Sequence, residues 1–258
     1  MGKMNHEARI VVVTSGKGGV GKTSITANLG VALARLGQRV VLIDADAGLR
    51  NLDLVLGLEN RVLHTARDVL EGLCRVDQAL VRDPRWKNLA LLPLARGRQR
   101  LRRTREARQG LVGALESLGF DWVFLDCPAG IDVGFATAIA PAKEAVLVTT
   151  PEITALRDAD RVAAILESQG VEKIRVLVNR LRASLPERST LERDHLGVQE
   201  VQEALGLEIL GSIPEDPTVL SATNRGTPLV ASPRLSPAGL ALEQAARKLS
   251  LNSPKPPF

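Results

Sequence analysis

Apolar residues follow two alternating patterns along this chain: short runs rich in branched aliphatic side chains, and longer stretches with apolar positions every three or four residues. The first run, Arg9 to Thr14 (RIVVVT), precedes a glycine-rich loop and predicts a buried first strand. From Lys22 to Leu36 the spacing is helical, and Gly37 predicts the end of that helix. The run from Arg39 to Ile43 predicts a second strand, which leads directly into Asp44.

The same alternation continues through the rest of the chain. Further strands are predicted at Leu89–Leu92, Trp122–Leu125, Ala145–Thr149, Ile174–Val178 and Ile209–Ile213. Further helices are predicted at Thr104–Leu118, Ile153–Gln169, Val198–Leu205 and Ala238–Leu249. Strands and helices that alternate over short connections indicate right-handed crossovers. The predicted fold is therefore α/β, with a single doubly wound, mostly parallel sheet and helices on both faces.

The composition fits one domain of this kind. Hydrophobic residues make up 45% of the chain and charged residues 24%, and the 2% of aromatic residues leaves Val, Leu, Ile and Ala to fill the core. Because no repeat or internal linker is visible, residues 1–252 are predicted to form a single domain. Residues 253–258 contain three prolines and are predicted to be a flexible tail, since proline cannot continue the preceding helix.

Several classes of protein are disfavoured by the same sequence. No apolar run reaches the roughly 18 residues of a membrane-spanning helix, and the polar start does not resemble a secretion signal. Cys74 and Cys127 are too few for a disulfide framework and too far apart for a metal motif, which predicts a reducing compartment. His6, His64 and His195 show no metal spacing either. The net charge of +5 permits contact with anionic lipid or nucleic acid but indicates neither.

The clearest chemical motif lies between the first strand and the first helix. Residues 16–23 read GKGGVGKT and fit the phosphate-loop pattern G-x-x-x-x-G-K-[ST]. Glycines allow backbone N–H groups to surround phosphate oxygens, and the following helix directs its positive end at the same anion. We expect Lys22 to reach the β- and γ-phosphates and the Thr23 hydroxyl to bind Mg²⁺. The residues predicted to bind the nucleotide here are Gly18, Gly19, Val20, Gly21, Lys22, Thr23 and Ser24.

Carboxylates follow two of the predicted strands. Asp44 and Asp46 share one face of an extended chain, where carboxylates can orient water or hold the shell of a magnesium ion; a turn is the alternative role for Asp44. The apolar run that ends at Asp126, in FLDCPAG, has the Walker B arrangement and predicts an aspartate that binds Mg²⁺ through water. Gly130 would leave room for the γ-phosphate. The predicted magnesium residues are Thr23, Asp44 and Asp126.

An amide also follows a predicted strand. Asn179, in VLVNR, could pair with the edge of an adenine base, but an asparagine at a strand end is also a common turn residue. The residues alone leave both roles open, and only a wider match to a known family distinguishes between them.

A second lysine in the phosphate loop narrows the class of protein. With Lys17 the loop reads KGGVGKT, which fits the K-G-G-x-G-K-[ST] signature of the deviant Walker A ATPases. Longer segments between Arg9 and Leu249 resemble the MinD family within that group, and are similar to its cyanobacterial and plastid branch. These segments include GLRNLDLVLGLENRV, DVLEG, DQALVRD, DCPAGID, TTPEITALRDADRV, LVNR, LGSIPED and TNRGTPLV.

The resemblance implies a SIMIBI-type P-loop NTPase that binds ATP or ADP with Mg²⁺ and hydrolyses ATP. It also implies that Lys17 reaches across a dimer interface to the phosphates of the partner subunit, and that Asp46 positions the attacking water. The predicted catalytic residues are therefore Lys17, Lys22 and Asp46. The base pocket implied by the resemblance consists of Asn179, Arg180, Pro214, Glu215 and Asp216.

The resemblance further implies placement of the division site as the cellular role. It implies an ATP-bound homodimer, partners of MinC and MinE type, and peripheral attachment to the inner face of an anionic membrane, in the cytoplasm or the plastid stroma. The partner surface is expected on the helix with Arg157, Asp158 and Asp160, which could equally be a solvated charged face. MinD proteins usually end in an amphipathic membrane helix. Residues 252–258 read NSPKPPF, without an apolar stripe, so membrane association is expected from kinship alone.

Three other activities use the same kind of loop. A DNA-partitioning ATPase of ParA type binds DNA as an ATP dimer, and Arg96–Arg108 could contact DNA phosphates or be a charged start of a helix. An electron-transfer iron protein needs cysteines of both subunits, but Cys74 and Cys127 do not lie in the glycine-rich contexts found there. For a small-molecule kinase, the sequence indicates no acceptor pocket.

Overall fold

The computed structural model describes residues 7–45, 51–94, 105–128, 130, 142–182 and 196–251, with the backbone alone for 105–109. Asp46, the proline-rich tail, His6 and His195 lie outside these ranges. The same holds for residues 96–104, which form most of the arginine-rich segment. What the sequence predicts for those residues stays a prediction.

Within the described residues, eight strands form the central sheet. They are β1 (Arg9–Thr14), β2 (Val40–Asp44), β3 (Val81–Arg82), β4 (Leu89–Pro93), β5 (Trp122–Asp126), β6 (Glu144–Thr149), β7 (Lys173–Leu181) and β8 (Glu208–Pro214). Their order is β3-β4-β2-β5-β1-β6-β7-β8, and among the pairs of these described strands only β3–β4 is antiparallel. The mostly parallel sheet and all the strands predicted from the sequence are confirmed. β3 was not predicted, because its two residues are too few to show an alternating pattern.

Helices cover both faces of the sheet. They are α1 (Lys22–Arg35), α2 (Leu52–Leu56), α3 (Ala66–Leu70), α4 (Val76–Ala79), α5 (Arg105–Ser117), α6 (Ile153–Ser168), α7 (Val198–Leu205), α8 (Thr218–Asn224) and α9 (Pro237–Leu251), with 3₁₀ turns at Glu59–Arg61 and Leu229–Ala231. The helices predicted from apolar spacing are confirmed as α1, α5, α6, α7 and α9. The other four have between 4 and 7 residues, too short for a period of 3.6 to be recognised in the sequence.

The central strand β1 is fixed from both sides. Val11 and Val13 belong to the apolar layer that contains residues of α1 and α9, whereas Val12 belongs to the layer that contains residues of α5 and α6. All three valines are fully buried. Burial of one such side chain stabilises a protein by about 1.5–3 kcal/mol. β1 is therefore a rigid base for the loop that follows it.

Parallel pairing gathers the carboxyl ends of the strands at one edge of the sheet. In the register of β5 with its two neighbours, Asp126 lies beside Asp44 of β2 and beside Val13 of β1. Farther along the sheet, Leu181 at the end of β7 lies beside Pro214 at the end of β8. This carboxyl edge therefore collects the loops in which the sequence predicts nucleotide binding.

Candidate nucleotide site

The loop between β1 and α1 adopts backbone conformations that favour glycine. Gly19 and Gly21 have positive φ angles of 77° and 99°, a region that residues with a Cβ rarely occupy. Gly21 directly precedes α1, and a Cβ on it would lie 2.6 Å from the side-chain nitrogen of Asn179. The loop therefore requires glycine at position 21 both for its backbone angles and for the space around it.

Lys22 lies inside this loop, with only 8% of its surface exposed. Its Nζ donates a hydrogen bond of 2.9 Å to Ser15 Oγ, and that hydroxyl donates one of 2.7 Å to the carbonyl oxygen of Lys17. A buried ammonium group is costly unless anions lie close to it. The loop thus holds a desolvated cation at the first turn of α1, which is an arrangement suited to a bound phosphate.

Two buried aspartates lie side by side next to this cation. Asp44 and Asp126 are adjacent in the β2–β5 register, and both are almost fully buried. Burial raises the pKa of Asp126 to about 7 and the charge of Asp44 acts in the same direction, while hydrogen bonds of Thr23 and Thr26 and the charge of Lys22 oppose this rise. The groups around Asp126 therefore only partly compensate for the burial of its charge.

The donor atoms at this position fit a magnesium ion. Thr26 Oγ1 donates to Asp126 Oδ1 at 3.3 Å, and the backbone N–H of Leu52 donates to Asp44 Oδ2 at 3.2 Å. Both carboxylates are thereby oriented, and Mg²⁺ is usually bound by one or two carboxylates together with phosphate oxygens and water. Within the described ranges, no three His, Cys, Asp or Glu side chains cluster in a way that could hold a metal by themselves.

Lys17 lies in very different surroundings from Lys22. Its Nζ is 3.3 Å from Glu152 Oε2, and the two side chains are 49% and 46% exposed. Glu152 immediately precedes α6. The first lysine of the loop therefore lies on the surface of the molecule, in a solvent-exposed ion pair of the kind that contributes little to stability.

The start of the phosphate loop packs directly on α6. A Cβ on Gly16 would lie 2.3 Å from the backbone carbonyl carbon of Asp158, so only glycine allows this approach. Arg157 and Asp160 are exposed on the same helix. The helix on which the sequence predicts a partner surface is therefore in contact with the phosphate loop on its inner side.

Asn179 and Arg180 contact the phosphate loop itself. Asn179 Nδ2 donates to the carbonyl oxygen of Val20 at 2.7 Å, and Arg180 donates to the carbonyl oxygen of Gly19 at 2.8 Å. Arg180 also has a φ of 58°, a positive value found for no other non-glycine residue in the described ranges. The sequence predicted these two residues for a base pocket and did not indicate that they anchor the phosphate loop.

The loop after β8 reaches the end of β7. The Glu215 backbone N–H donates to the carbonyl oxygen of Leu181 at 2.9 Å, and the Glu215 carboxylate pairs with Arg182 at 3.0 Å. Asp216 Oδ1 accepts from the backbone N–H of Thr218 at 2.8 Å, at the start of α8. The structure thus brings Pro214, Glu215 and Asp216 beside the strand that ends near Asn179, as a shared base pocket would require.

A cavity of about 560 Å³ opens beside the first turn of α1, between α2 and α8. Only two of its lining residues, Thr23 and Ser24, were predicted from the sequence. The others are Asn51, Leu54, Val55, Gly57 and Glu59 on the α2 side and Thr223, Asn224, Arg225 and Gly226 on the α8 side. These residues were not predicted, because both helices are too short to show a helical period in the sequence. The signals that could have indicated them are the string NLD after the second strand and the string TNRGT.

The chain matches known proteins over most of its length. Residues 11–229 match the CobQ/CobB/MinD/ParA nucleotide-binding domain. The chain is 59% identical over 241 residues to a putative septum site-determining protein MinD of Chlorella vulgaris, and the aligned region covers 93% of this chain and 84% of that protein. It is 56% identical over 246 residues to the chloroplastic septum site-determining protein minD homolog of Arabidopsis thaliana, and the aligned region covers 93% of this chain and 74% of that protein.

Solved structures share the fold as well. A chain of the MinC:MinD cell division protein complex of Aquifex aeolicus is 42% identical with a TM-score of 0.85, covering 97% of this chain and 99% of that one. The septum site-determining protein MinD complexed with Mg-ADP from Pyrococcus horikoshii is 31% identical with a TM-score of 0.77, covering 94% and 96%.

Proposed function

Because the chain belongs to the MinD branch of the CobQ/CobB/MinD/ParA nucleotide-binding family, we propose that it is an ATPase switch that dimerises around ATP and determines the site of division. The resemblance to MinD inferred from sequence segments is confirmed, and so is the fold. The matches to MinD proteins over nearly the whole chain favour this function over DNA partitioning.

The observation that carries the proposal is the contrast between two lysines of one loop. Lys22 is buried beside Asp126, so a phosphate in the loop would meet it within the same subunit. Lys17 points outward to Glu152 through an exposed ion pair, which can be exchanged for another anion at little cost. A loop with one inward and one outward lysine is suited to binding phosphates from two subunits.

Each group has one task in the proposed reaction. The backbone of the phosphate loop and Lys22 bind the phosphates and offset the negative charge that develops on the γ-phosphoryl group. Lys17 of one subunit adds positive charge at the phosphates held by the other, and Asp46 orients the attacking water. Bound Mg²⁺ would supply further positive charge at the phosphate oxygens and would be held by Thr23, Asp44 and Asp126.

Adenine is the base that Asn179 would select. Its amide N–H group already donates to Val20, which leaves the side-chain oxygen as a hydrogen-bond acceptor. The exocyclic amine of adenine can donate to such an acceptor, whereas guanine has a carbonyl oxygen at the same position. We therefore expect ATP and ADP to bind more tightly than GTP and GDP.

Partner binding is proposed for the outer face of α6. The Aquifex structure is a complex of MinC with MinD, and a MinC-type partner is the corresponding expectation here, with a MinE-type activator on the same face. Because Gly16 packs against the backbone of Asp158, a partner that shifts α6 would also shift the phosphate loop. Arg157 and Asp160 are the exposed charges available for contact.

Attachment to an anionic membrane surface completes the proposed cycle. The described residues contain no helix with the length and the apolar character needed to cross a membrane. The proposed place of action is the plastid stroma or the bacterial cytoplasm, because one of the relatives is a chloroplastic protein and the sequence is compatible with both.

The switch is tested by measuring molecular mass by light scattering with Mg-ATP and with Mg-ADP. The mass should double with ATP alone, and Lys17→Ala should stay monomeric while still binding ADP. Lys143→Ala serves as the matched control, since Lys143 is also exposed but precedes β6 at the opposite edge of the sheet. A Lys17→Ala variant that dimerises normally with ATP would refute the cross-subunit role.

Co-sedimentation separates the membrane role from the partition role. With ATP but not ADP, the chain should pellet with anionic liposomes, and it should show no ATP-dependent binding to duplex DNA. Salt-sensitive DNA binding gained only with ATP, without liposome binding, would favour the partition function instead.

A further inference from the structure

Arg85 joins three parts of the chain beside the cavity. It lies in the turn between β3 and β4, and its guanidinium donates to both oxygens of Asp83, at 3.0 Å from Nε and 2.7 Å from a terminal nitrogen. The other terminal nitrogen donates to the carbonyl oxygen of Gly226 at 3.1 Å. A further bond goes to the carbonyl oxygen of Leu56. Arg85 therefore holds the carboxyl end of α2 and the turn after α8 at the same time.

The two chain segments held by Arg85 touch through their backbones. A Cβ on Gly57 would lie 2.8 Å from the Gly226 carbonyl oxygen, and a Cβ on Gly226 would lie 2.5 Å from Gly57 Cα. Both glycines have positive φ angles, of 66° and 60°. This contact leaves no room for a side chain, so the separation of α2 from α8 is set at this point.

Each of the two helices also leads into the candidate nucleotide site. The first backbone N–H of α2, on Leu52, donates to the carboxylate of Asp44. On the other side, α8 begins at Thr218, whose backbone N–H donates to Asp216 of the predicted base loop. The position of α2 relative to α8 therefore bears on the carboxylate of Asp44.

We propose that Arg85 is a positioning residue for ATP hydrolysis, which sets the geometry of Asp44 by tying α2 to α8. The inference rests on the proposed ATPase function. A planar guanidinium with several donors in fixed directions can bridge two carbonyl oxygens and a carboxylate at once. An ammonium group cannot satisfy all three in the same way.

α2 is held on the domain by burial of its apolar side chains rather than by Arg85. Leu52 and Leu56 are fully buried in the apolar layer that also contains residues of α1, so burial keeps α2 on the protein. The Arg85 side chain, by contrast, is 35% exposed and follows β3, the outermost strand of the sheet. Arg85 is therefore expected to affect the orientation of α2 more than the stability of the fold.

The test compares wild type with Arg85→Lys, which keeps a positive charge beside the buried Asp83. We expect kcat for ATP to fall about tenfold or more, while the Kd for ADP measured without Mg²⁺ changes less than about threefold, because Asp44 acts through Mg²⁺ and the phosphate loop is untouched. Arg82→Lys is the matched control, since Arg82 is an exposed arginine of the neighbouring strand β3, and it should leave both values unchanged.

A second variant tests the same junction without removing Arg85. Gly226→Ala inserts a Cβ against Gly57 and should lower kcat with the same selectivity. An unchanged kcat in both variants would overturn the inference. Parallel losses of kcat, of ADP affinity without Mg²⁺ and of thermal midpoint would overturn it too, since they indicate a merely structural role. A wild-type protein that binds Mg-ADP but hydrolyses no ATP, alone or with an activating partner, would instead overturn the proposed function and the inference with it.

Discussion

The central sheet has an amino edge, where its parallel strands begin, and a carboxyl edge, where they end. Both hold buried charges, but they differ in what surrounds those charges. At the amino edge, the Glu144 carboxylate accepts hydrogen bonds from Arg9, at 2.7 and 2.6 Å, and from Arg175, at 2.6 Å. Arg9 also donates to the carbonyl oxygen of Leu249 at 2.9 Å, and its guanidinium lies 4.1 Å from the ring centre of Trp122. The charges of this amino-edge cluster are therefore paired within the chain.

At the carboxyl edge, the charge of Asp126 is only partly compensated. There the pKa of Asp126 is raised to about 7, chiefly by burial, even though Lys22 lies nearby. At the amino edge the opposite holds for Glu144: burial acts to raise its pKa, but Arg9 and Arg175 lower it below the ordinary value. The comparison shows that a buried carboxylate keeps its charge where the chain itself supplies the partners, although burial lowers the pKa of Arg175 in the same cluster. Where a ligand is expected to supply them, the chain gives up stability for binding.

The largest expected effect is at the amino edge. Glu144→Ala leaves Arg175, which is 1% exposed, without its carboxylate, so we expect the free energy of unfolding to fall by about 3–5 kcal/mol. Urea denaturation measures this loss, with Glu172→Ala as the control at an exposed glutamate just before β7. The Mg-ADP affinity of the folded variant should be nearly unchanged. A large loss of that affinity would contradict the separation of the two edges.

The pH dependence provides a second check on the same cluster. Because the pKa of Glu144 is lower in the folded protein, its contribution to stability is present above the unfolded-state pKa and disappears as the pH falls through the folded-state pKa. The stability difference between wild type and Glu144→Gln should therefore shrink as the pH falls below the ordinary value of 4.5. An equal difference at pH 7 and in strong acid would refute the ion-pair explanation.

The next largest effect is expected at the carboxyl edge. Lys22→Ala should weaken Mg-ADP binding about 100-fold, or about 2.7 kcal/mol, because the variant would lose the buried ammonium group that is expected to contact the phosphates. Isothermal titration calorimetry gives the affinity, and Lys143→Ala is the control for the loss of one lysine. The free energy of unfolding without nucleotide should change less than the binding energy does. Wild-type affinity in the variant would exclude the phosphate role of Lys22.

The smallest expected effect is a gain in the free energy of unfolding rather than a loss. Without nucleotide and Mg²⁺, Asp126→Asn should stabilise the protein at pH 8 by about 2 kcal/mol, roughly half of what the full pKa shift is worth, since Lys22 then loses a nearby anion. A carboxyl group with a raised pKa contributes its stability below the unfolded pKa of 3.8 and loses it as the pH rises through about 7. The gain from Asn should therefore fade toward pH 4. Urea unfolding at pH 8 and pH 5 measures it, and a less stable variant at pH 8 would overturn the comparison.

Much of the fold and of the phosphate loop could be predicted because the relevant signals are local. The strand Arg9–Thr14, the helix that begins at Lys22 and the glycines between them occupy consecutive positions, and each has a recognisable pattern. Asp126 was found for the same reason, at the end of an apolar run. The short helix α2 escaped prediction because five residues do not show a helical period.

The contacts between distant segments could not be predicted in this way. Glu144 and Arg9 are 135 positions apart, and Asn179 is 159 positions from the carbonyl group that it binds. Arg85 reaches Gly226 across 141 positions. No local pattern distinguishes these polar residues from others on the surface. Their partners are decided by which strands and helices become neighbours.

The sequence by itself determined the class of fold and the position of the glycine-rich loop, because apolar periodicity and glycine spacing act over a few residues. The tertiary structure alone decided the environment of each charge. It placed Lys22 in the interior and Lys17 on the surface, although the two are five positions apart. It also paired Glu144 within the chain while leaving Asp126 only partly compensated. Burial and proximity control the energy of a charge, and both depend on the packing of the whole chain.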